Sequence, residues 1–316
     1  MSNMTNEETT QLVATDTLTR PPAPTEARWQ ILRGSCWVLL VLTLLAAVVM
    51  AVRPSLAAQA GAAQLGFLIL FVVAHAWLGY SARGMAAFVA IAGIVAFAME
   101  AIGVATGFPF GSYTHHLPGP KPLGVPPVAI VSWIMFGWLA WALARVIMRP
   151  VPGVAVGGAE RFTTPIVATF ILGGYDLVND PIGATAHDWY SYHHPTGALG
   201  VPLTNFLGWL LTGWLIFQLV ALVEARFPGS PVTRTRTYWL LPCLFWLSTA
   251  TQVFTSLIHP PDGVAVRGGK TIQIADVYES GASAALFTIL LTGIMALVRL
   301  YSRHPSKILR SSTDEG

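Results

Sequence analysis

Long apolar runs dominate this chain and decide what it can fold into. Stretches of 16 to 24 mostly apolar residues recur along its 316 residues, with short polar connections between them. A helix needs about 20 apolar residues to cross the hydrocarbon core of a bilayer. Only 10% of the residues are charged while 54% are hydrophobic, a balance that ordinary soluble domains do not show. The runs place spans at about 36–52, 64–80, 85–106, 125–148, 162–178, 201–223, 238–258 and 281–300. The expected fold is therefore all-α: a polytopic transmembrane bundle of about eight helices, forming one domain over 36–300. Residues 1–35 read as a disordered cytoplasmic tail. Its first 27 residues are polar and carry Glu7, Glu8, Asp16 and Glu26, unlike the basic start and early apolar stretch of a signal peptide. Residues 301–316 read as a second cytoplasmic tail.

Charge placement orients the bundle. The net charge is +3, but the basic residues sit singly at the ends of apolar runs, so no nucleic-acid partner is expected. With eight spans and a cytoplasmic N-terminus, 14 of the 18 basic residues fall on the cytoplasmic side. The other side holds Arg53, Lys121, Arg267 and Lys270. This is the bias that positive-inside insertion produces in a cell membrane. The same accounting puts His115, His116, His187, His193, His194 and His259 in non-cytoplasmic loops. Candidate chemistry gathers at that face. Cys36 and Cys243 lie in or beside apolar segments without a CxxC partner and read as packing residues.

Two stretches match each other. One runs Tyr113, His115-His116, Pro118 and then Gly124-Val125-Pro126; the other runs Tyr192, His193-His194, Pro195 and then Gly200-Val201-Pro202. Trp133 and Trp209 each follow the last proline by seven residues, and Glu100 and Asp176 lie 76 residues apart, the same offset as Pro126 and Pro202. An internal parallel repeat is expected, with units of about 85–148 and 162–223. Proline opening the next helix accounts for the Gly-Val-Pro turns. It does not account for the acids.

Glu100 and Asp176 are the carboxyls that these spans place inside apolar segments, where a charge costs roughly 2.5–3.5 kcal/mol on the mildest scale. Such a group faces a cavity, finds a partner or stays protonated, and a protonated one can serve as a general acid. A structural hydrogen bond to a neighbouring helix is the plainer alternative. Asp180 and Asp188 read as loop residues. The run His187 to His194 has the spacing H-x5-H-H, and the chain holds no HxxxH of the kind membrane di-iron enzymes use, so no metal is expected. Aromatic residues crowd these loops. An interfacial belt explains most of them, although a site for a polyene or a carbocation would also want aromatic faces. Asn205, one turn into an apolar run, is placed to orient a water or a carboxyl.

Glu100 followed by Phe108-Pro109-Phe110-Gly111-Ser112-Tyr113, then Gly124-Val125-Pro126 and Trp133, resembles the first signature of the carotenoid biosynthesis membrane-protein family. The second half is similar, with Asp176, Asp180-Pro181, Trp189, Gly200-Val201-Pro202, Asn205-Phe206 and Gly208-Trp209. The resemblance covers roughly 65–300. It departs from the family pattern at 187–194, where Tyr190 and Tyr192 stand instead of a second tryptophan. That family includes carotenoid 1,2-hydratases, so the resemblance implies addition of water to the C1=C2 bond of an acyclic ψ end group. It implies no cofactor, a lipophilic polyene substrate in a lipid setting, and other carotenoid-pathway enzymes as partners. Asp176 is the expected acid with Glu100 and Asp180 beside it; Tyr113, Trp133, Trp189, Tyr192, His193, Asn205 and Trp209 are expected to bind substrate or water. Two other readings stay open: a metal-dependent hydroxylase or desaturase, and a non-catalytic carotenoid-binding or transport protein.

Overall fold

A computed structural model of the chain describes residues 24–148, 155–197, 199–227 and 229–302. The greater parts of both expected tails, 1–23 and 303–316, lie outside the described residues. The rest is mainly helical, as expected, with two small two-stranded sheets. Helix α1 is Pro24–Val52, α2 Ala57–Thr106, α3 Pro127–Met148, α4 Glu160–Pro181 and α5 Leu203–Val223. Helix α6, Arg236–Thr249, is continued by the short α7, Thr251–Ser256; α8, Ile274–Ala285, runs through a π turn at 286–290 into α9, Leu291–Tyr301.

Among the described residues these make seven helical rods, where eight spans were expected. Two expected spans, 64–80 and 85–106, are fused in α2. Straight, its 50 residues would reach about 75 Å, far more than a bilayer core. The helix instead breaks at Ser81, whose φ of 65° and ψ of 173° are not helical. Its start (Ala57, Gly61) and its late residue Glu100 line the same cavity, while Tyr80 and Gly84 at the break lie against Glu224 and Phe227. The chain therefore doubles back at Ser81 and leaves two arms side by side.

Five stretches are long and apolar enough to cross a membrane: 29–52, 54–106, 127–148, 203–226 and 274–301. The first helix starts at Pro24, ahead of the expected 36. The expected spans 162–178 and 238–258 are helical yet absent from this group. The region around 238–258 is divided between α6 and α7, and α4 carries Asp176, Asn179 and Asp180 in its last turns. The long helices expose Ile94, Phe170, Leu203 and Phe287 on their outer faces, the surface expected of a membrane protein facing lipid. Cys36 and Cys243 are free and buried, and they pack in the core.

One end of the bundle is held by charge. Arg145 from α3 and Glu224, just past α5, form an ion pair and are both buried. Val156 N–H donates to Glu224 at 3.2 Å and the Tyr80 hydroxyl at 3.4 Å, while the guanidinium lies 5.4 Å from the Trp239 ring. Groups from α2, from α3 and from the segment between α3 and α4 thus meet on one carboxylate. Removing one partner of a buried pair leaves an uncompensated charge, a loss of about 3–5 kcal/mol. Glu224→Gln and Arg145→Met should each destabilise the detergent-solubilised protein by about that much in denaturant titrations, and the double variant by less than the sum. Additive losses would show that the pair does not hold this end.

Candidate active site

The opposite end of the bundle gathers the candidate residues, and a small sheet does the gathering. Strand β1, Tyr113–His115, pairs antiparallel with β2, Tyr190–Tyr192, matching Tyr113 to Tyr192 and His115 to Tyr190. The ladder extends through His116 N–H to the Trp189 carbonyl at 2.7 Å and His193 N–H to the Ser112 carbonyl at 2.8 Å. Alternation then sorts the side chains. Tyr113, His115, Tyr190 and Tyr192 share the cavity face. On the other face His193 meets Thr114 and His116 meets Ser191, each at 2.8 Å.

Both Gly-Val-Pro segments turn the chain into a following helix in one conformation. Gly124 and Gly200 each have φ of +82°, the left-handed region glycine enters freely, and α3 and α5 begin just beyond. A Cβ at Gly124 would stand 2.7 Å from Val104. Phe110 fills the space between α2 and α5 so tightly that a Cβ on either Gly103 or Gly208 would overlap its ring.

Two carboxyl centres face a cavity of about 920 Å³. Glu100 accepts from Trp133 Nε1–H at 2.9 Å and from the Tyr113 hydroxyl at 2.5 Å, and His115 Nε2 lies 3.6 Å away. Asp180 accepts from the Tyr190 hydroxyl at 2.6 Å and from the Asn205 amide, which also donates to Asp176 at 3.3 Å. Each centre thus has one tyrosine O–H and one nitrogen donor. Trp133 stacks on Trp209 with ring centres 3.9 Å apart, which places an aromatic wall beside Glu100. Burial, reinforced by these carboxylates, pushes the Tyr113, Tyr190 and Tyr192 hydroxyls well above their ordinary range, so they remain neutral donors. Burial holds the His187 imidazole below its usual range; it bonds the Tyr278 hydroxyl at 3.0 Å and stacks on Trp189.

The expected site residues Glu100, Asp180, Tyr113, Trp133, Trp189, Tyr192, Asn205 and Trp209 all line this cavity. Two do not. Asp176, the expected acid, is 1% exposed and lies behind Asp180, away from the cavity lining. His193 points outward and braces Thr114. Asp180, read as a loop residue, lies instead on the last turn of α4, because the helix runs to Pro181 and passes into a π turn at 182–186. The site roles of His115, His187, Tyr190 and Tyr278 went unassigned in the sequence. The Tyr-Thr-His and Tyr-Ser-Tyr alternation was the signal for the first and third. Among the described residues, no group of three or more histidine, cysteine and acidic side chains is close enough to hold a metal ion.

Away from the acids, the cavity wall is apolar along α1 and the first arm of α2, including Met50, Leu65 and Leu68, while α6–α7 adds Phe245 and a polar strip of Ser248, Thr249, Gln252 and Thr255. Over the other side lies the hairpin of β3, Val264–Arg267, and β4, Lys270–Gln273. Its Arg267 bonds the Ala184 carbonyl at 3.0 Å and the Asp188 carboxylate at 2.6 Å. A long apolar chamber that ends in two dressed carboxyls suits a long lipophilic molecule with a reactive tip.

The chain belongs to the carotenoid biosynthesis protein family, whose model it matches over residues 35–266. It is also similar to the bisanhydrobacterioruberin hydratase of Haloarcula japonica, with 30% identity over 121 residues. That match spans 38% of this chain and 39% of the relative, well short of the relative's full length. No solved structure matches the chain.

Trp133→Phe keeps an aromatic ring against Trp209 and deletes the indole donor to Glu100. A hydrogen bond to a charged group contributes about 1.5–3 kcal/mol, and chemical denaturation of the variant should show a loss in that range. Unchanged stability would mean that Glu100 does not depend on this bond.

Proposed function

We propose that this protein is a carotenoid 1,2-hydratase, adding water across the terminal C1=C2 bond of an acyclic ψ end group. One observation carries the reading: two hydrogen-bonded carboxyl centres, Glu100 and the Asp176–Asp180 pair, meet at the aromatic end of an apolar cavity. The similarity to a hydratase within the same family supports it.

Hydration needs a proton donor, stabilisation of the resulting cation, and a water. The Asn205 amide donates to both Asp176 and Asp180, and Asp176 Oδ1 is buried without a partner. One amide holds two buried carboxyls side by side, and burying two adjacent negative charges is unfavourable, so one of them keeps a proton. Asp180, on the cavity, is the member that delivers this proton to C2 of the alkene, and Asp176 behind it shares the charge left. The tertiary cation formed at C1 is stabilised by the Glu100 carboxylate and the faces of Trp133 and Trp209. Water captures it as a tertiary alcohol. Asn205 fixes the acid pair, and Tyr113, Tyr192 and Trp189 bound the space for the end group. The reaction calls for no cofactor.

The setting follows from the same reading. With the bent α2 crossing twice, α4 once and α6–α7 once, the chain makes eight crossings of the cell membrane. The termini are cytoplasmic and the site lies near the non-cytoplasmic face, where the tip of a bilayer-spanning polyene arrives. The 76-residue repeat is then two related halves, each lending the site an acid-bearing helix and a Gly-Val-Pro helix. Other enzymes of the pathway would deliver and remove the polyene within the membrane.

Expression in cells that make lycopene or γ-carotene should yield pigment heavier by one water, about 18 mass units. Asp180→Asn should cut that product about 10²-fold or more, while Asp188→Asn should leave it nearly unchanged. An unaltered pigment profile with the wild type, or full activity in Asp180→Asn, would overturn the assignment.

A further inference from the structure

His115 lines the cavity beside Glu100, and its chemistry is left unused by the carboxyl centres. Its side chain is 7% exposed and lines the cavity, and neither ring nitrogen has a hydrogen-bond partner. An imidazole left so carries an unmet desolvation cost unless something in the cavity bonds it. The ring is nevertheless firmly placed. Its backbone is paired opposite Tyr190 in the sheet, and the Tyr113 and Tyr190 rings meet it edge-on with centroids 5.2 and 5.8 Å away. It stands on the Glu100 side of the cavity and beside the tyrosine that bonds Asp180.

Resting on the hydratase reading, we propose that His115 is the general base that holds the incoming water and takes its proton. The bonding balances as follows. The Asp180 O–H proton goes to C2, the alkene's π pair forms the new C–H bond, and C1 becomes cationic. A lone pair of the water forms the C1–O bond, and the proton released from that oxygen passes to a ring nitrogen of His115. Glu100, 3.6 Å from Nε2, supplies the counter-charge for the imidazolium. Return of that proton to the Asp176–Asp180 pair through cavity water restores the starting state, and the net change is alkene plus water to alcohol. The acid on the last turn of α4 and the base on β1 are thus brought to one cavity by a single two-stranded sheet.

The titratable groups facing His115 are Glu100 from α2, Tyr113 on its own strand and Tyr190 from β2, with Asp180 of α4 behind Tyr190. The tyrosines stay neutral.

The test uses purified full-length protein in detergent, supplied with lycopene or γ-carotene. His115→Gln should bind the polyene as the wild type does, judged by the absorption shift of the bound pigment. It should turn over about 10²-fold more slowly. His115→Asn serves as a second variant should glutamine disturb folding, and His115→Ala should regain turnover on adding imidazole. Retained turnover in His115→Gln, no rescue of His115→Ala by imidazole, or parallel loss of binding and turnover would overturn the role of His115 alone. A wild type that hydrates neither polyene would instead overturn the hydratase reading, and this role with it.

Discussion

A charged side chain among apolar helices must be paired, hydrogen-bonded or protonated, and this constraint organises the whole bundle. Its two ends satisfy it differently. At one end Glu224 is neutralised by Arg145, and the pair ties α2, α3, α5 and α6 together. At the other, no arginine or lysine among the described residues pairs with Glu100 or Asp180, which rely on tyrosine hydroxyls, an indole and an amide. Neutral donors hold a carboxyl in place without quenching its charge. The first arrangement suits a structural clamp, and the second leaves acids fit for chemistry.

The loop sheet is what turns these separate solutions into one site. Glu100 and Asp180 sit on different helices, and only the pairing of β1 with β2 brings their tyrosines to a common face. Glycine at 103 and 208 lets Phe110 seal the space below. The Arg267 contacts to Ala184 and Asp188 fasten the second loop from outside. The cavity is lined both by this acidic end and by residues of α1, α2 and α6–α7.

Much of this was legible in the sequence because the signals are local. Apolar runs mark helices, and Gly-Val-Pro marks the turns before α3 and α5. The family followed from the motifs around Glu100 and Asp176, and the match over 35–266 bears it out. What escaped depends on contacts. Whether two apolar runs are separate rods or one bent helix rests on the backbone at Ser81. Hydropathy cannot tell Asp176 from Asp180 one turn later; only the direction of the cavity separates the buried carboxyl from the one that faces it. The histidine pairs looked alike, yet strand alternation sends His115 inward and His193 outward. Glu224 lay one residue past an expected span, and its partner Arg145 was counted as an ordinary cytoplasmic charge.

The central claim is that the oxygen of the product comes from water through acid chemistry at Glu100, Asp176 and Asp180. Isotope labelling addresses it directly. Membranes holding the protein and lycopene or γ-carotene, incubated in H₂¹⁸O under ordinary oxygen, should give an alcohol carrying the heavy isotope. The same reaction under ¹⁸O₂ in ordinary water should give none. Label arriving from ¹⁸O₂, or a product that forms only when oxygen is present, would contradict the account and point to an oxygenase.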